Sequence, residues 1–217
     1  MTHTGADWAL TIESELKDAL TRRAAFSVNA QSFLFLRHGR TNSNVKGIIQ
    51  GQLDVALDQV GREQATHAGV LLKRSGVTRI VSSDLSRALE TAKIAAREIG
   101  ISAPLADARL RERGFGALQG KINTHLAWLS EDRSVETSAV FANRTLDGVE
   151  AAVLNSTTLI CAHGGNLRVL AAALGLTLGQ SLYENATPLL FRLSDGKWSC
   201  QRLIDIENYG IAIPLNA

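Results

Sequence analysis

The 217-residue chain lacks four features that would each mark a class of protein. Its two cysteines, Cys161 and Cys200, have neither the spacing of a metal site nor the number of a disulfide framework, which favours a reducing compartment. No run approaches the roughly 18 apolar residues that cross a bilayer, and the N-terminus has no basic-then-apolar order of a secretory signal. The formal charge of +2 is too small to indicate nucleic-acid binding. We therefore expect a cytoplasmic protein with no membrane and no nucleic-acid partner.

Short apolar runs alternate with segments of helical periodicity along the chain. Residues 33–36, 78–82 and 157–162 have the pattern of buried strands, and helical patterns follow each of them. Two further strands, at about 187–193 and 197–204, are joined by a turn and predict a hairpin. This order predicts an α/β fold, namely a three-layer α/β/α sandwich with a mainly parallel sheet and one antiparallel edge strand.

Residues 1–31 precede the first strand and are predicted to form a helical extension of the main domain, 32–217. Apolar residues recur there at helical spacing from Trp8 to Leu20, which predicts an amphipathic helix over about 6–23. We expect this helix to pack on the body or on a partner. Self-association into a homo-oligomer through its apolar stripe is an open alternative.

Polar residues follow three of the predicted strands close to where each strand ends. Arg37 and His38 follow the first, Arg87 lies shortly after the second, and His163 with Gly164 follows the third. Since the carboxyl ends of parallel strands lie along one edge of a sheet, we expect these residues to converge. A lone histidine or arginine is more often structural or solvated. Two histidines at strand ends, each followed by glycine, favour a shared site.

Two histidines and two arginines, with no third metal ligand evident, indicate phosphoryl transfer rather than a zinc site. Guanidinium groups bind two phosphate oxygens each. A neutral imidazole can attack phosphorus when a carbonyl holds its other nitrogen, and a second, protonated histidine can stabilise the equatorial oxygens. The leaving alkoxide then needs a carboxylic acid. Glu112, in the glycine-rich stretch 110–116, can supply it, although a glutamate beside arginines is by itself more often a surface ion pair.

These motifs resemble those of the histidine phosphatase superfamily, which includes cofactor-dependent phosphoglycerate mutases and many small-molecule phosphatases. The resemblance extends from Phe33 to about Leu203. Several ordered motifs on one chain are far more specific than any single one. The motifs are Arg37-His38-Gly39-Arg40-Thr41 with Asn44, then Gly51-Gln52-Leu53-Asp54, Ser82-Ser83-Asp84-Leu85-Ser86-Arg87-Ala88, Glu112 with Gly116 and Gly120, and Ala162-His163-Gly164-Gly165.

The resemblance implies a role for each of these residues. His38 would carry the phosphoryl group as phosphohistidine, and Glu112 would protonate the leaving group and then activate water, with His163 completing the catalytic set. The family requires no metal, and we expect no cofactor. Contacts to the phosphate are expected from Arg37, Arg87 and Asn44, with Arg40 and Gly164 as further candidates.

One motif position departs from the family pattern. The residue after His-Gly is usually acidic or an amide, whereas this chain has Arg40. An extra cation at the rim of the site would favour more anionic substrates, or it points to solvent, and both interpretations stay open. Residues 1–31 have no counterpart in the minimal family core, so their role is also open.

The segment between the acid and the second histidine distinguishes phosphatases from mutases. Only 51 positions (163 − 112) separate Glu112 from His163, and mutases of this kind carry a longer segment that covers the site. A mutase must keep water from phosphohistidine, so a shorter cover favours hydrolysis. The stretches 112–120 and 187–190 are closer to mutases. The sequence predicts a metal-independent phosphatase acting on a small phosphorylated metabolite; a mutase is the alternative, and a non-catalytic phospholigand-binding protein a minor one.

Overall fold

The computed structural model describes residues 7–23, 25–124, 126–155 and 157–203. Within these residues no helix is both long and apolar enough to cross a membrane. The helices and strands, in chain order, are α1 (Asp7–Leu20), β1 (Ser32–Arg37), α2 (Asn42–Val45), α3 (Gln59–Leu72), β2 (Arg79–Ser82), α4 (Ser86–Ile99), β3 (Leu105–Ala106), α5 (Ser138–Ala152), β4 (Thr158–Ala162), α6 (Gly164–Ala173), β5 (Pro188–Ser194) and β6 (Lys197–Arg202). Short 3₁₀ turns occur at Ala108–Leu110, Gly116–Leu118, Leu126–Leu129 and Gln180–Tyr183.

A single six-stranded sheet forms the middle layer, in the order β3-β2-β4-β1-β5-β6. The first four of these strands run parallel, β5 is antiparallel to β1, and β6 is antiparallel to β5. The predicted α/β class with a mainly parallel sheet is therefore confirmed. One detail differs from the prediction of an antiparallel edge strand: the antiparallel strand is β5, which is second from the edge. The edge strand β6 runs in the same direction as β1, because the final hairpin reverses the chain.

Alternation along β1 supplies apolar side chains to both faces of the sheet. Phe33 and Phe35 belong to one buried cluster, with residues of α1, α5 and α6. Leu34 and Leu36 belong to a second cluster, with residues of α3 and α4. Successive strand residues point to opposite faces, so an entirely apolar run such as this one requires a helical layer on each side. This is the predicted three-layer sandwich.

The N-terminal helix α1 is part of the larger core. Ile12 and Leu16 are only 3% and 1% exposed, and α1 contacts α5, α6 and the turn Leu126–Leu129. The predicted helix and its packing on the body are thus confirmed, while the side chain of Trp8 lies outside the described residues. Since Ile12 and Leu16 are buried within this chain, they are not available to a partner. Self-association stays a prediction.

Two local predictions differ from the structure. The sequence predicts a helix from Asp84 to about Gly100, but this helix begins at Ser86. Asp54 of a neighbouring loop accepts the Ser86 N–H (2.7 Å), and Asp84 instead pairs with Arg111. The sequence predicts a mostly helical segment over 121–155, but the long helix α5 begins only at Ser138. The weak periodicity of this segment reflects the loop that occupies its first half.

Candidate active site

The carboxyl ends of β1 and β4 bring the two predicted histidines together. His38 directly follows β1, His163 directly follows β4, and their ring centroids are 5.2 Å apart. They are neighbours because β1 and β4 pair in parallel. His163 is fully buried beside His38. A cavity of about 320 Å³ opens at this edge, and its lining includes Arg37, His38, Asn44, Arg87, Glu112 and Gly164.

The imidazole of His38 has a defined tautomer. Its Nδ1 lies 2.8 Å from the carbonyl oxygen of Gly39, and a carbonyl can only accept, so Nδ1 carries the proton. Burial, together with the charges of Arg87 and Arg37, lowers the pKa of His38 well below its ordinary value. The ring is therefore neutral, and the lone pair lies on Nε2. This is the state that a nucleophile at phosphorus requires.

Ser83 and Asn166 fix the position of His163. Its Nε2 lies 2.9 Å from the hydroxyl of Ser83, and its backbone N–H donates to the side chain of Asn166 (3.1 Å). Burial, followed by the charge of Arg87, lowers the pKa of His163 well below its ordinary value. The neutral ring is therefore favoured in the free site, because a buried imidazole near two guanidinium groups loses its proton. The protonated second histidine that would act during the reaction stays a prediction.

Main-chain carbonyls hold both guanidinium groups. Arg87, only 1% exposed, donates to the carbonyls of Leu53 (2.9 Å) and Gly51 (2.7 Å), and Arg37 donates to that of Tyr183. Burial lowers the pKa of both, that of Arg87 to about 10. A guanidinium group in a protein stays charged at neutral pH. Neither forms a direct ion pair with a carboxylate of the described residues. Two such cations at one cavity favour an anionic ligand.

Glu112 lies at the N-terminus of α6, where two backbone amides fix its carboxylate. Oε1 accepts the N–H of Arg113 (2.8 Å), and Oε2 accepts the N–H of Gly165 (3.0 Å). Glu112 lines the same cavity as Arg37 and Arg87, and its carboxylate partly offsets the lowering that burial causes in the pKa of both arginines. A Cβ at Gly165 would lie 2.0 Å from Oε1, which explains why a glycine is needed there.

Arg144 on α5 and Glu136 just before this helix form an ion pair that supports the acid loop, residues 111–114, which carries Glu112. The guanidinium of Arg144 donates to the carbonyls of Arg111 (2.6 Å) and Glu112 (2.8 Å), and it also pairs with Glu136 (2.6 Å). Glu136 in turn accepts the N–H of Gly114 (2.8 Å). The acid loop is thus tied at several backbone groups to one helix, which limits the movement of the Glu112 side chain.

The three remaining candidates have different placements. Asn44 lines the cavity, and because its Oδ1 accepts from Thr41 (3.0 Å), it can offer a ligand only amide N–H donors. Gly164 also lines the cavity, and a Cβ there would be 3.7 Å from Arg37 Nε. Arg40 is not among the lining residues, since its guanidinium pairs with Asp58 (2.8 Å). A direct contact of Arg40 with the phosphate therefore has no support in this arrangement.

Sequence reasoning assigned no role to two residues that hold the site residues in position. Ser83 holds His163, while Thr91 accepts the N–H of Gly39 (2.9 Å) and donates to the carbonyl of Arg87 (2.7 Å). Both lie in or next to the second arginine motif, so their position was a usable signal. The carbonyls that hold the arginines carry no side-chain signature. Among the described residues, no three His, Cys, Asp or Glu side chains are grouped to hold a metal ion.

The fold and the geometry of the site agree with the protein family that the sequence matches. Residues 33–206 match the model of the histidine phosphatase superfamily (branch 1), which covers most of the chain. The protein belongs to the histidine phosphatase superfamily. The match begins after α1, so the N-terminal helix lies outside it.

Relatives with three kinds of name resemble the chain over most of its length. It is 32% identical to phosphoglycerate mutase-like protein 4 of Arabidopsis thaliana, over 83% of this chain and 88% of the relative. It is 34% identical to glucosyl-3-phosphoglycerate phosphatase of Mycolicibacterium vanbaalenii, over 79% and 84%. Agropine synthesis reductase of Rhizobium rhizogenes is 32% identical over 78% of this chain, which spans only 41% of that protein's length. The activities in these names belong to the relatives, and for this chain they are proposals.

Solved structures show the same fold. A mycobacterial glucosyl-3-phosphoglycerate phosphatase in complex with VO3 superposes with a TM-score of 0.63 at 28% identity, covering 79% of this chain and 97% of that one. A protein from Thermus thermophilus gives a TM-score of 0.64 at 26% identity, covering 79% and 98%. Phosphatases are therefore among the relatives in both sequence and structure.

Proposed function

We propose that this protein is a metal-independent phosphatase that hydrolyses a small phosphorylated metabolite through a phosphohistidine on His38. The observation that carries the proposal is the state of His38. The Gly39 carbonyl fixes the proton on Nδ1, and burial beside Arg37 and Arg87 keeps the ring neutral, so Nε2 can attack. The membership of the family and the phosphatases among the relatives support the same chemistry.

The reaction proceeds in two displacements at phosphorus. Nε2 of His38 forms a bond to phosphorus as the bond to the alcohol oxygen breaks, and Glu112 gives that oxygen its proton. Water then attacks the phosphohistidine and gives a proton to the Glu112 carboxylate, which releases inorganic phosphate and restores both residues. The guanidinium groups of Arg37 and Arg87 hold the phosphoryl oxygens throughout.

The placement of residues 121–155 favours hydrolysis over mutase activity. Helix α5, the longest part of this segment, packs into the core through Phe141, Leu146 and Val149, all fully buried. Of the described residues in this segment, those that line the cavity are Asn123, Ala127 and Trp128. Because α5 packs into the core, the part of this segment beside phosphohistidine is the shorter stretch before α5, and a shorter cover favours access of water. The mutase alternative rests on the likeness to phosphoglycerate mutase-like protein 4.

A metabolite screen with chelator present separates the two activities. Purified protein is incubated with a panel of phosphorylated metabolites, and both phosphate release and interconversion of 3- and 2-phosphoglycerate are followed. We expect phosphate release. Interconversion without release would overturn the phosphatase assignment in favour of a mutase, and binding without either reaction would favour the non-catalytic alternative.

A substitution tests the covalent intermediate. His38→Ala is expected to abolish turnover and the acid-labile label that ³²P-substrate leaves on the wild-type protein. His67→Ala, on the exposed face of α3, is the matched control and should retain both. Turnover by folded His38→Ala protein would show that the phosphohistidine mechanism is wrong.

A further inference from the structure

Helix α1 contributes a residue to the wall of the cavity. It lies outside the range that matches the family, 33–206, yet Ile12 is one of the residues that line the cavity. Ile12 is 3% exposed and is held in place because α1 packs on α5, α6 and the turn Leu126–Leu129. The side chain of Glu15 on the same helix also accepts a hydrogen bond from Ser138 at the start of α5. The helix is therefore built into the site rather than attached beside it.

Ile12 is part of a continuous apolar wall. Five of the lining residues belong to the same buried cluster of the core. Within this group the rings of Phe115 and Trp128 meet edge to face, with centroids 5.9 Å apart. The five residues are Ile12, Ile49, Phe115, Ala127 and Trp128.

Arg113 keeps this wall rigid. Its guanidinium lies 5.7 Å from the ring centroid of Phe115 and 4.9 Å from that of Trp128, and it donates to the Trp128 carbonyl (2.7 Å). Arg113 is itself buried, so these cation–π contacts are desolvated and comparatively strong. Because the rings are already fixed in the free protein, a ligand that binds against this wall does not have to supply the entropy cost of ordering them.

We propose that α1 is part of the substrate site and that Ile12 helps to select phosphate esters whose alcohol presents an apolar face, aromatic or aliphatic. The proposal rests on the proposed function in that it takes the phosphate to lie at His38 and the arginines. An alcohol that is polar on every side would lose hydrogen bonds to water against this wall without replacement. Other lining residues, among them Gln50, Asn123 and Gln180, are polar, so the preferred alcohol is amphipathic.

Two phosphonates measure this selectivity without turnover. Phenylphosphonate and methylphosphonate share the anionic group and differ in the apolar group. The ratio of their Kd values therefore measures how much the apolar wall contributes to binding. For Ile12→Ala we expect the preference for phenylphosphonate to fall by about 10-fold or more, because one methylene in an apolar pocket is worth about that factor and this substitution removes more than one. Leu16→Ala is the matched control. Leu16 lies one turn further along α1, is 1% exposed in the same cluster, and does not line the cavity.

The outcomes separate this inference from the phosphatase proposal. An unchanged ratio in Ile12→Ala, an equal change in Leu16→Ala, or no phosphonate binding by the wild-type protein would overturn the inference. Phosphonate selectivity that depends on Ile12, without hydrolysis of phenyl phosphate, would support the inference and defeat the phosphatase proposal. If Ile12→Ala does not fold, Ile12→Val removes a single methyl group and should shift the ratio in the same direction by a smaller factor.

Discussion

A methyl group at Gly165 would displace the proposed acid without removing it. The Cβ of an alanine there would lie 2.0 Å from Glu112 Oε1 and 2.9 Å from the ring of Phe141. Ordinary contact begins near 3.4 Å, so the carboxylate must move by about 1.4 Å (3.4 − 2.0). Phe141 is fully buried in the core and cannot give way. The larger movement falls on Glu112, which also loses its hydrogen bond to the Gly165 amide. The 2.9 Å contact with Phe141 additionally requires a shift of about 0.5 Å (3.4 − 2.9) at the start of α6.

The expected loss depends on the leaving group. A displacement of about 1 Å costs on the order of 100-fold in rate when the displaced group takes part in the step. Alkyl phosphates need a proton on the departing oxygen, whereas p-nitrophenyl phosphate needs it much less. For Gly165→Ala we expect kcat/KM to fall about 100-fold for glycerol phosphate but less than about 10-fold for p-nitrophenyl phosphate. Steady-state kinetics on both esters at one pH measures this difference.

Gly164→Ala provides the comparison. Its added methyl group would be 3.7 Å from Arg37 Nε, an ordinary contact inside the phosphate pocket. Any loss should therefore be the same for both esters, because the phosphate is common to them. Thermal unfolding of both variants checks that they are folded. Equal losses on the two esters in folded Gly165→Ala protein would refute the assignment of Glu112 as the acid.

Three further predictions concern the supports of the site. Arg144→Lys cannot reproduce the forked contacts to the acid loop, so we expect unfolding free energy to fall by about 1–3 kcal/mol in a urea titration, with larger kinetic losses on alkyl than on aryl esters. The pKa values of His38 and His163 are lowered in the folded state, so the unfolded chain binds more protons below about pH 6.5. The free energy of unfolding should therefore fall as the pH drops below about 6.5, by up to about 1.4 kcal/mol per pH unit for each histidine. Urea titrations at pH 5, 6 and 7 test this, and His163→Asn should reduce the slope. Gly61→Ala would place a Cβ 2.1 Å from a backbone carbonyl of the loop after β1 and should destabilise by about 1–3 kcal/mol, whereas Gly179→Ala, with nothing within 4 Å, should leave the unfolding midpoint almost unchanged.

The convergence of the main site residues could be predicted because it follows from strand polarity. The apolar runs before His38 and before His163 are short, and a histidine-glycine pair follows each run closely, which identifies them as buried strands. Parallel pairing of neighbouring strands then places their carboxyl ends together, and the structure brings the two rings to 5.2 Å. The prediction needed only topology, not side-chain detail.

The supporting contacts could not be predicted, because they join residues that are distant in sequence and often involve the backbone. The carbonyls that hold Arg87 come from a loop more than thirty residues earlier, and no side-chain pattern indicates them. The pairing of Arg40 with Asp58 depends on how closely the start of α3 approaches the loop after β1. The position of Ile12 in the cavity wall depends on where α1 packs, which its apolar stripe alone does not specify.

The neutral state of His163 in the free site links substrate binding to proton uptake. Burial and the charge of Arg87 remove its proton, but a phosphate dianion between the arginines would offset those positive charges and raise the pKa of His163 again. The protonated histidine that the chemistry requires would then form only when phosphate is present. Calorimetric titration with inorganic phosphate in buffers of different ionisation enthalpy should therefore detect proton uptake near neutral pH, and His163→Asn should reduce it. Binding with no buffer dependence would show that His163 stays neutral and acts only as a hydrogen-bonding group.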